Sequence, residues 1–127
     1  MSMRSLKVVT AREDIPPRRF VAWVKSGDPN GPRTVRVARA GIALGVTPQG
    51  SRAQRDCRIV VAGEAEVDFA GDVAKDQPVT CDVDGRAVAA SPELPAERIA
   101  GYARVDARAG EYGAVFVGEP LRRAPFA

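Results

Sequence analysis

Glycine and proline occur throughout the chain, and their spacing leaves no room for a long helix. There are 12 Gly and 10 Pro among 127 residues, and no apolar pattern of helical period is sustained between them. Short segments with alternating apolar and polar residues lie between these breakers, as at Arg18–Val24 and Thr34–Arg39. Alternation of this kind is typical of strands with one buried face. The sequence therefore predicts an all-β fold with little helix, either a small β-barrel or a β-sandwich.

Prolines also mark where the predicted domain begins and ends. Pro16 and Pro17 stop any regular element after the first short β-like run, which predicts a loosely tethered N-terminal arm of residues 1–17. Two further prolines near the end of the chain predict an extended C-terminal tail of residues 120–127. The region between them, residues 18–119, is predicted to be a single β-rich domain.

The residue types present exclude several kinds of catalytic and metal site. The chain contains no histidine, which removes the commonest general base and the commonest metal ligand. Its two cysteines, Cys57 and Cys81, are too few for a structural zinc site. We expect them to be free thiols in a reducing cytoplasm, with one disulfide as the alternative. No carboxylate pair, serine triad or phosphate loop is indicated, so we predict that the protein is not an enzyme and uses no cofactor.

Charge and hydropathy indicate where the protein is made and what it can bind. The formal net charge is +3, an excess too small to indicate nucleic-acid binding by itself. The N-terminus lacks an apolar core of signal-peptide length, and no stretch approaches the roughly 20 apolar residues of a membrane span. We therefore expect a soluble protein, made in the cytoplasm, with no membrane partner.

The fragment Asp82-Val83-Asp84-Gly85 resembles the start of a calcium-binding loop. The match fails where Arg86 stands at a ligand position and Ala87 stands where the loop needs glycine. Asp84-Gly85 is instead a preferred pair for a type I′ turn, in which both central residues have positive φ. We therefore predict a β-hairpin with its turn at Asp84 and Gly85, and no metal site.

A nucleic-acid-binding β-barrel is the alternative to a structural role. Phe20 and Trp23 are candidates for stacking on bases. The first half of the chain is basic, with arginines at positions 18, 19, 36, 39, 52, 55 and 58. Other aromatic residues are too few to make this interpretation the preferred one, so we expect no nucleic-acid partner.

A weak internal repeat connects the two halves of the chain. Aligning Gly45 with Gly101 places Ile59 on Val115 and Val61 on Val117. Each copy then consists of a strand with glycine, a polar loop and a Val-rich strand. The pattern predicts that one unit is used twice, with the Asp84-Gly85 hairpin between the copies. Gly63, inside the long run that precedes that hairpin, predicts a bend or bulge.

The second half of the chain resembles a known family. The stretch Gly71-Asp72-Val73, the turn Asp82–Ala87, and the ending Gly101–Val117 with Ala109-Gly110-Glu111 are similar to the small head decoration (capsid cement) proteins of tailed bacteriophages. The resemblance covers about 60% of the chain, from Ile42 to Gly118. The polar loop of the first copy, the Pro-Pro segment and the Pro-rich loop near residue 28 depart from the family pattern.

The resemblance implies a virion protein, assembled in the host cytoplasm, that binds the outer surface of the expanded capsid. It also implies binding to the major capsid protein as a homotrimer. We hypothesise that the arm adds a strand to the capsid protein, through Arg4, Leu6, Lys7, Val8, Val9 and Arg12. Candidate subunit-interface residues are Arg18, Arg19, Phe20 and Trp23. Core packing is the alternative for the two aromatic residues among them.

Overall fold

The computed structural model describes residues 5–24, 34–40 and 42–118, and these residues form nine strands and one 3₁₀ turn. The strands are β1 (Ser5–Ala11), β2 (Arg19–Trp23), β3 (Thr34–Val37), β4 (Gly45–Thr47), β5 (Asp56–Asp68), β6 (Pro78–Cys81), β7 (Ala87–Ala89), β8 (Gly101–Ala103) and β9 (Tyr112–Val117). The 3₁₀ turn spans Ala96–Arg98. The all-β prediction is confirmed. None of the described helical residues forms a segment long and apolar enough to cross a membrane.

All nine strands belong to one hydrogen-bonded sheet, which as a whole is not a closed barrel. Its order is β1-β3-β2-β4-β5-β9-β8-β6-β7, and β1 pairs in addition with β5. Outward from the β5–β9 pair, the strands β4, β2 and β3 follow on one side, and β8, β6 and β7 follow on the other. On each side the last two are a sequential pair that forms a hairpin-like unit. This arrangement indicates that the two halves of the sheet are built in the same way.

Strand β5 is the longest strand and belongs to both halves. Its residues up to Ala62 pair with β1, and its residues from Gly63 onward pair with β9. Gly63 has a φ of 106°, a conformation that glycine adopts without the steric cost of a side chain. The change of partner therefore coincides with the residue at which the sequence predicts a bend.

The internal repeat is present in the strand register. Val46 of β4 lies opposite Val60 of β5, and their counterparts Tyr102 of β8 and Phe116 of β9 also lie opposite each other. A Cβ atom on Gly45 would lie within 3.0 Å of the Val60 carbonyl oxygen, and one on Gly101 within 3.0 Å of the corresponding Phe116 oxygen. Both glycines are thus required by the same close approach of two strands.

The repeat extends well beyond the segments that the sequence aligns. An isolated antiparallel bridge joins Ile15 to Ser51 in the first half, and an equivalent one joins Val73 to Ala107 in the second. The parallel pairing of β1 with β3 likewise has a counterpart in the parallel bridge from Phe69 to Ala87. We therefore divide the described chain into repeat 1, residues 5–62, and repeat 2, residues 63–118.

Side-chain hydrogen bonds follow the same repeat. The Asp14 carboxylate accepts a bond from the Ala53 N–H at 2.8 Å, and the Asp72 carboxylate accepts one from the Ala109 N–H at 3.0 Å. In each repeat the carboxylate ties the segment after the first strand to the polar loop before the last one. The Asp84-Gly85 hairpin joins β6 to β7; it lies between the two segments that the sequence aligns, and inside repeat 2 of the longer repeats that the structure defines.

Two hydrophobic clusters form the core. The inner cluster of repeat 1 holds Ala11, Ile15, Val21, Val35, Val37, Cys57 and Ile59. The larger cluster joins the inside of repeat 2 to Phe20, Val46 and Val60 of repeat 1. Because Val21 and Ile59 adjoin Phe20 and Val60 in sequence but lie in the other cluster, both faces of the sheet are buried at these positions of β2 and β5.

The segment predicted to be an N-terminal arm contains a full strand. Six residues of β1, from Ser5 to Thr10, have antiparallel partners in β5, and Thr10 and Ala11 also pair with β3. Ala11 and Ile15 are buried in the core. Pairing with β5 satisfies backbone groups of this segment that would otherwise need water. Arg4 and the predicted tail, residues 120–127, lie outside the described residues.

Candidate interaction surface

The outer side of β1 is an exposed apolar strip, formed by Leu6 and Val8. Their side chains are 55% and 59% exposed. Pairing with β5 places them at the positions that Glu64 and Glu66 occupy in repeat 2, opposite Phe116 and Ala114. The same place in the fold is therefore apolar in repeat 1 and acidic in repeat 2. Exposed apolar side chains that a repeat does not need for folding are candidates for contact with a partner.

The remaining predicted arm residues mostly contact the chain itself. The Lys7 ammonium lies 5.5 Å from the centroid of the Trp23 ring, a cation–π contact. Val9 and Trp23 both pack against the inner cluster of repeat 1. Arg12 is exposed, and its backbone N–H donates to the Val35 carbonyl oxygen at 2.7 Å. Among the described arm residues, the free apolar surface is therefore concentrated at Leu6 and Val8.

Arg18 and Arg19 join repeat 1 to repeat 2 through Asp68. Arg18 Nε donates to Asp68 Oδ1 at 2.7 Å, and Arg19 Nη1 donates to Asp68 Oδ2. Arg18 has a φ of 58°, and its guanidinium lies 4.8 Å from the centroid of the Tyr112 ring. Its pKa is raised, chiefly by the hydrogen bond to Asp68 and by the charge of that carboxylate. The partly buried ion pairs thus make these arginines part of the junction between the repeats.

Phe20 lies at the centre of this junction. It has no exposed surface and belongs to the larger core cluster, which agrees with the alternative of core packing. A side chain in this position can neither contact a second subunit nor stack on a base. The sequence could not distinguish these roles, because strand alternation does not show that both faces of β2 are covered.

The turn between β6 and β7 differs from the predicted type I′ turn. Gly85 has a φ of 76°, whereas Asp84 is not among the residues with positive φ. The Gly85 N–H donates to the Asp82 carbonyl oxygen at 3.1 Å, and Asp82 N–H donates to the Arg86 carbonyl oxygen at 2.8 Å. This pattern is that of a three-residue hairpin loop that ends in a left-handed glycine.

The Asp82 carboxylate serves the turn itself. Its Oδ1 atom accepts the N–H groups of Asp84 and Arg86, each at 2.9 Å, and Oδ2 lies 3.2 Å from the Arg86 guanidinium. Within the described ranges, no group of three or more acidic or cysteine side chains is placed to hold a metal ion. The resemblance to a calcium loop is therefore explained by an Asx-type turn.

The same turn packs against repeat 1. The Phe20 N–H donates to the Gly85 carbonyl oxygen at 2.8 Å, and the Ala40 N–H donates to the Asp82 carbonyl oxygen at 3.0 Å. A Cβ atom on Gly85 would lie 2.8 Å from both the Phe20 carbonyl oxygen and a Val37 methyl group. The hairpin turn therefore closes one end of the contact between the repeats.

A cleft of about 300 Å³ lies beside this turn. Eight residues of both repeats line it: Glu13, Pro16, Arg19, Val37, Arg39, Val83, Asp84 and Arg86. Its charges pair with one another, with Arg39 Nη2 2.6 Å from Glu13 Oε1 and Arg86 Nη2 3.2 Å from Asp84 Oδ2. Each of these ion pairs lies within one repeat, and the bond that crosses the cleft runs from Arg19 Nε to the Asp84 carbonyl oxygen at 3.1 Å.

A surface that the sequence analysis did not identify lies on repeat 2. Tyr112, Ala114 and Phe116 alternate along β9 with three buried residues, so they share the outer side of the sheet. Tyr102 of β8 lies directly opposite Phe116. The guanidinium of Arg104 is 5.9 Å from the Phe116 ring centroid. The alternation is visible in the sequence, but the number of exposed aromatic residues becomes clear only when the two strands are paired.

Neither cysteine forms a disulfide, and the two are buried in separate clusters, Cys57 in the inner cluster of repeat 1 and Cys81 in the larger one. Burial also raises the pKa of the Cys57 thiol, and the thiolate is the reactive form. We therefore expect a thiol reagent such as DTNB to release almost no colour from the native protein and to titrate two thiols per chain after unfolding in urea. Rapid reaction of either thiol in the native protein would contradict this placement.

The geometry defines an all-β protein built from two five-stranded repeats that share one strand. No protein-family model matches the chain, and no curated protein matches its sequence. Among solved structures, it is similar to the N base of head fiber gp8.5 of bacteriophage phi29, with a TM-score of 0.68 and 18% sequence identity. The match covers 91% of this chain and 95% of the other. At this identity the likeness shows that the two proteins share a fold.

Proposed function

We propose that this protein is a structural component of a bacteriophage head, which binds the outside of the expanded capsid and stabilises it. The observation that carries the proposal is the match with the phi29 head-fiber base, because it includes nearly all of both chains. The sequence resemblance to head decoration proteins rests on different evidence, namely turn and glycine motifs, and it implies the same location. Both likenesses therefore support a role on the virion surface without catalysis.

The proposed partner is the major capsid protein, and the proposed contact surface is the strip formed by Leu6 and Val8. These side chains are exposed, although the backbone of β1 from Ser5 to Thr10 is paired with β5. A capsid protein that covers them would gain about 25 cal/mol for each Å² of apolar surface removed from water. We propose that the protein binds as a trimer, during assembly of the virion in the host cytoplasm.

Stabilisation of the shell would follow from selective binding. A protein that binds the expanded shell, and not the unexpanded one, lowers the free energy of the expanded state in proportion to the logarithm of its concentration over Kd. A modest free energy per site is multiplied by the number of sites. The protein itself needs no change of conformation, which suits a fold whose two halves are held together by a shared strand.

Co-sedimentation with capsids of the same phage tests the proposal. Purified protein is mixed with expanded, undecorated shells or with unexpanded shells, and the bound fraction is measured after centrifugation. We expect saturable binding to expanded shells alone, and a higher temperature of shell disruption when the protein is bound. If neither shell binds the protein, the proposed function is wrong.

The described residues give little support to the nucleic-acid alternative. Phe20 is fully buried, and Trp23 packs against the core with Lys7 over its ring. Arg18 and Arg19 are paired with Asp68. Binding to DNA that weakens steeply with salt would nevertheless favour this alternative, and the same purified protein is suitable for that measurement.

A further inference from the structure

The two repeats share a fold but carry opposite charges. Repeat 1 contains 11 basic and 4 acidic residues, a formal charge of +7, whereas repeat 2 contains 5 basic and 11 acidic residues, a formal charge of −6. The small net charge of the chain is therefore the sum of two large charges that nearly cancel. A molecule with this distribution turns its basic half toward an acidic surface as it approaches, and such steering raises the rate of association.

Three arginines of repeat 1 lie near one another on the outer side of its sheet. Arg58 of β5 lies opposite Val8 of β1. Arg12 follows the end of β1, and the parallel pairing of β1 with β3 places it beside Arg36. All three arginines are exposed. Their neighbours in sequence belong to the inner cluster of repeat 1: Ala11, Val35, Val37, Cys57 and Ile59. Because side chains alternate along a strand, the arginines point outward.

We call this surface the basic face, and it consists of Leu6, Val8, Arg12, Arg36 and Arg58. It is the part of the outer side of repeat 1 that repeat 2 leaves uncovered. Repeat 2 packs on positions of β2, β4 and β5 that have no exposed surface, whereas every member of the basic face is exposed. A partner can therefore reach this face without displacing repeat 2.

The arginines of the basic face have no role in the fold that repeat 2 shares. The counterparts of Arg12, Arg36 and Arg58 in the register of repeat 2 are, in that order, Ala70, Val88 and Ala114. No ion pair joins any of the three arginines to another residue in the described ranges. Since the same fold forms with uncharged residues at these positions, the three charges are available to a molecule outside the chain.

The composition of the basic face favours an acidic protein surface over nucleic acid as its partner. Leu6 and Val8 adjoin the arginines, and an apolar centre with a charged rim is typical of protein interfaces. Exposed Asp56 lies on the same side of β5, two positions before Arg58. A protein can place carboxylates beside the arginines and none beside Asp56, whereas a row of phosphates is continuous. The planar guanidinium also suits carboxylates, because it can form two parallel hydrogen bonds.

We propose that the basic face binds an acidic surface of the capsid protein, so that repeat 1 faces the shell and the acidic repeat 2 faces away from it. The inference rests on the proposed function and adds to it the chemistry of the partner surface and the orientation of the bound protein. Leu6 and Val8 supply the apolar contact, and the arginines select a site at which carboxylates surround it.

Co-sedimentation with expanded shells tests the inference with the triple variant Arg12→Ala, Arg36→Val and Arg58→Ala, which carries the residues of repeat 2 at these positions. At an ionic strength of about 0.01 M, where charges interact over about 30 Å, we expect this variant to bind about tenfold more weakly than the wild type or worse. At about 1 M, where the Debye length is about 3 Å, we expect the two proteins to bind alike. Equilibrium unfolding in urea shows whether the variant is folded.

The control is the triple variant Lys75→Ala, Arg104→Ala and Arg108→Ala, which removes the same three charges from exposed positions of repeat 2. It should bind expanded shells like the wild type. If the variant of the basic face does not fold, the salt dependence of the wild type is the test, and affinity that is unchanged between the two ionic strengths overturns the inference.

The outcomes separate this inference from the proposed function. If the wild type binds neither expanded nor unexpanded shells, the proposed function is wrong and the inference is overturned with it. If the wild type and the folded variant of the basic face bind expanded shells equally at low salt, the inference alone is overturned. Loss of binding to duplex DNA in that variant, with shell binding retained, would also overturn it and would assign the basic face to nucleic acid.

Discussion

Replacing Gly45 or Gly101 with alanine is expected to destabilise the protein by about 3 kcal/mol or more, because the new methyl group would overlap a backbone carbonyl oxygen. Each Cβ would lie within 3.0 Å of an oxygen of the neighbouring strand, that of Val60 or Phe116. Since the obstructing atom belongs to a paired strand, the overlap cannot be relieved by rotating a side chain. Equilibrium unfolding in urea would measure the change in the free energy of unfolding.

Gly71→Ala is the matched control for this prediction. Its Cβ would meet only a Val88 methyl group at 3.9 Å, and Gly71 does not have a positive φ. We expect a change within about 0.5 kcal/mol of the wild-type free energy of unfolding. If the three alanine variants are equally stable, the close approach of β4 to β5 and of β8 to β9 is not as described.

The double substitution Leu6→Glu and Val8→Glu is expected to weaken binding to expanded capsids by about a hundredfold, if these side chains form the proposed capsid contact. Burying each one is worth about 1.5 kcal/mol, and each 1.4 kcal/mol is a factor of ten in Kd. The new residues are those that repeat 2 carries at the same positions, Glu64 and Glu66. We therefore expect the unfolding midpoint to change little, and the co-sedimentation isotherm to show the loss of affinity.

Val105→Gln is the control for the loss of an exposed apolar side chain, because Val105 is also exposed and its counterpart in repeat 1 is Gln49. This variant should bind capsids like the wild type. A double variant that binds with wild-type affinity would show that β1 is not the contact, even if the protein itself binds capsids. Substitution is a sharper test than deletion of residues 1–12, which would remove a strand that pairs with β3 and β5.

The sequence predicts the class of fold and several strands well, because alternation and breakers act locally. It also aligns Gly45 with Gly101 correctly, since both are required by the same contact. The rest of the repeat is not visible in the sequence, because equivalent positions hold residues of different size. Phe69 occupies the position of Ala11, and its ring lies 3.4 Å from the Cβ site of Gly113, which in turn takes the position of Cys57. A large residue beside glycine thus stands where the other repeat has two small residues, and the similarity between counterparts is lost.

The surfaces could be predicted only in part, for a related reason. Leu6 and Val8 lie on a strand and are exposed, in agreement with the β-like run predicted there. The sequence pattern nevertheless predicts a loose arm, because the strand that pairs with it, β5, lies about fifty residues away along the chain. Phe20 and Phe116 both alternate with buried residues in strands. Phe20 is covered and Phe116 is partly exposed, because repeat 2 packs on repeat 1 and not the reverse. This relation is a property of the tertiary structure.

Strand β5 passes from one repeat into the other without a linker. A flexible connection would let two such units rotate, and force applied to one unit would first extend the connection. Here the backbone of β5 transmits a load directly from the pairs with β1 to the pairs with β9. Leu6 and Val8 on β1 and Tyr112 and Phe116 on β9 are consequently held at a fixed separation and angle, so that the molecule acts as a rigid spacer between whatever binds its two ends.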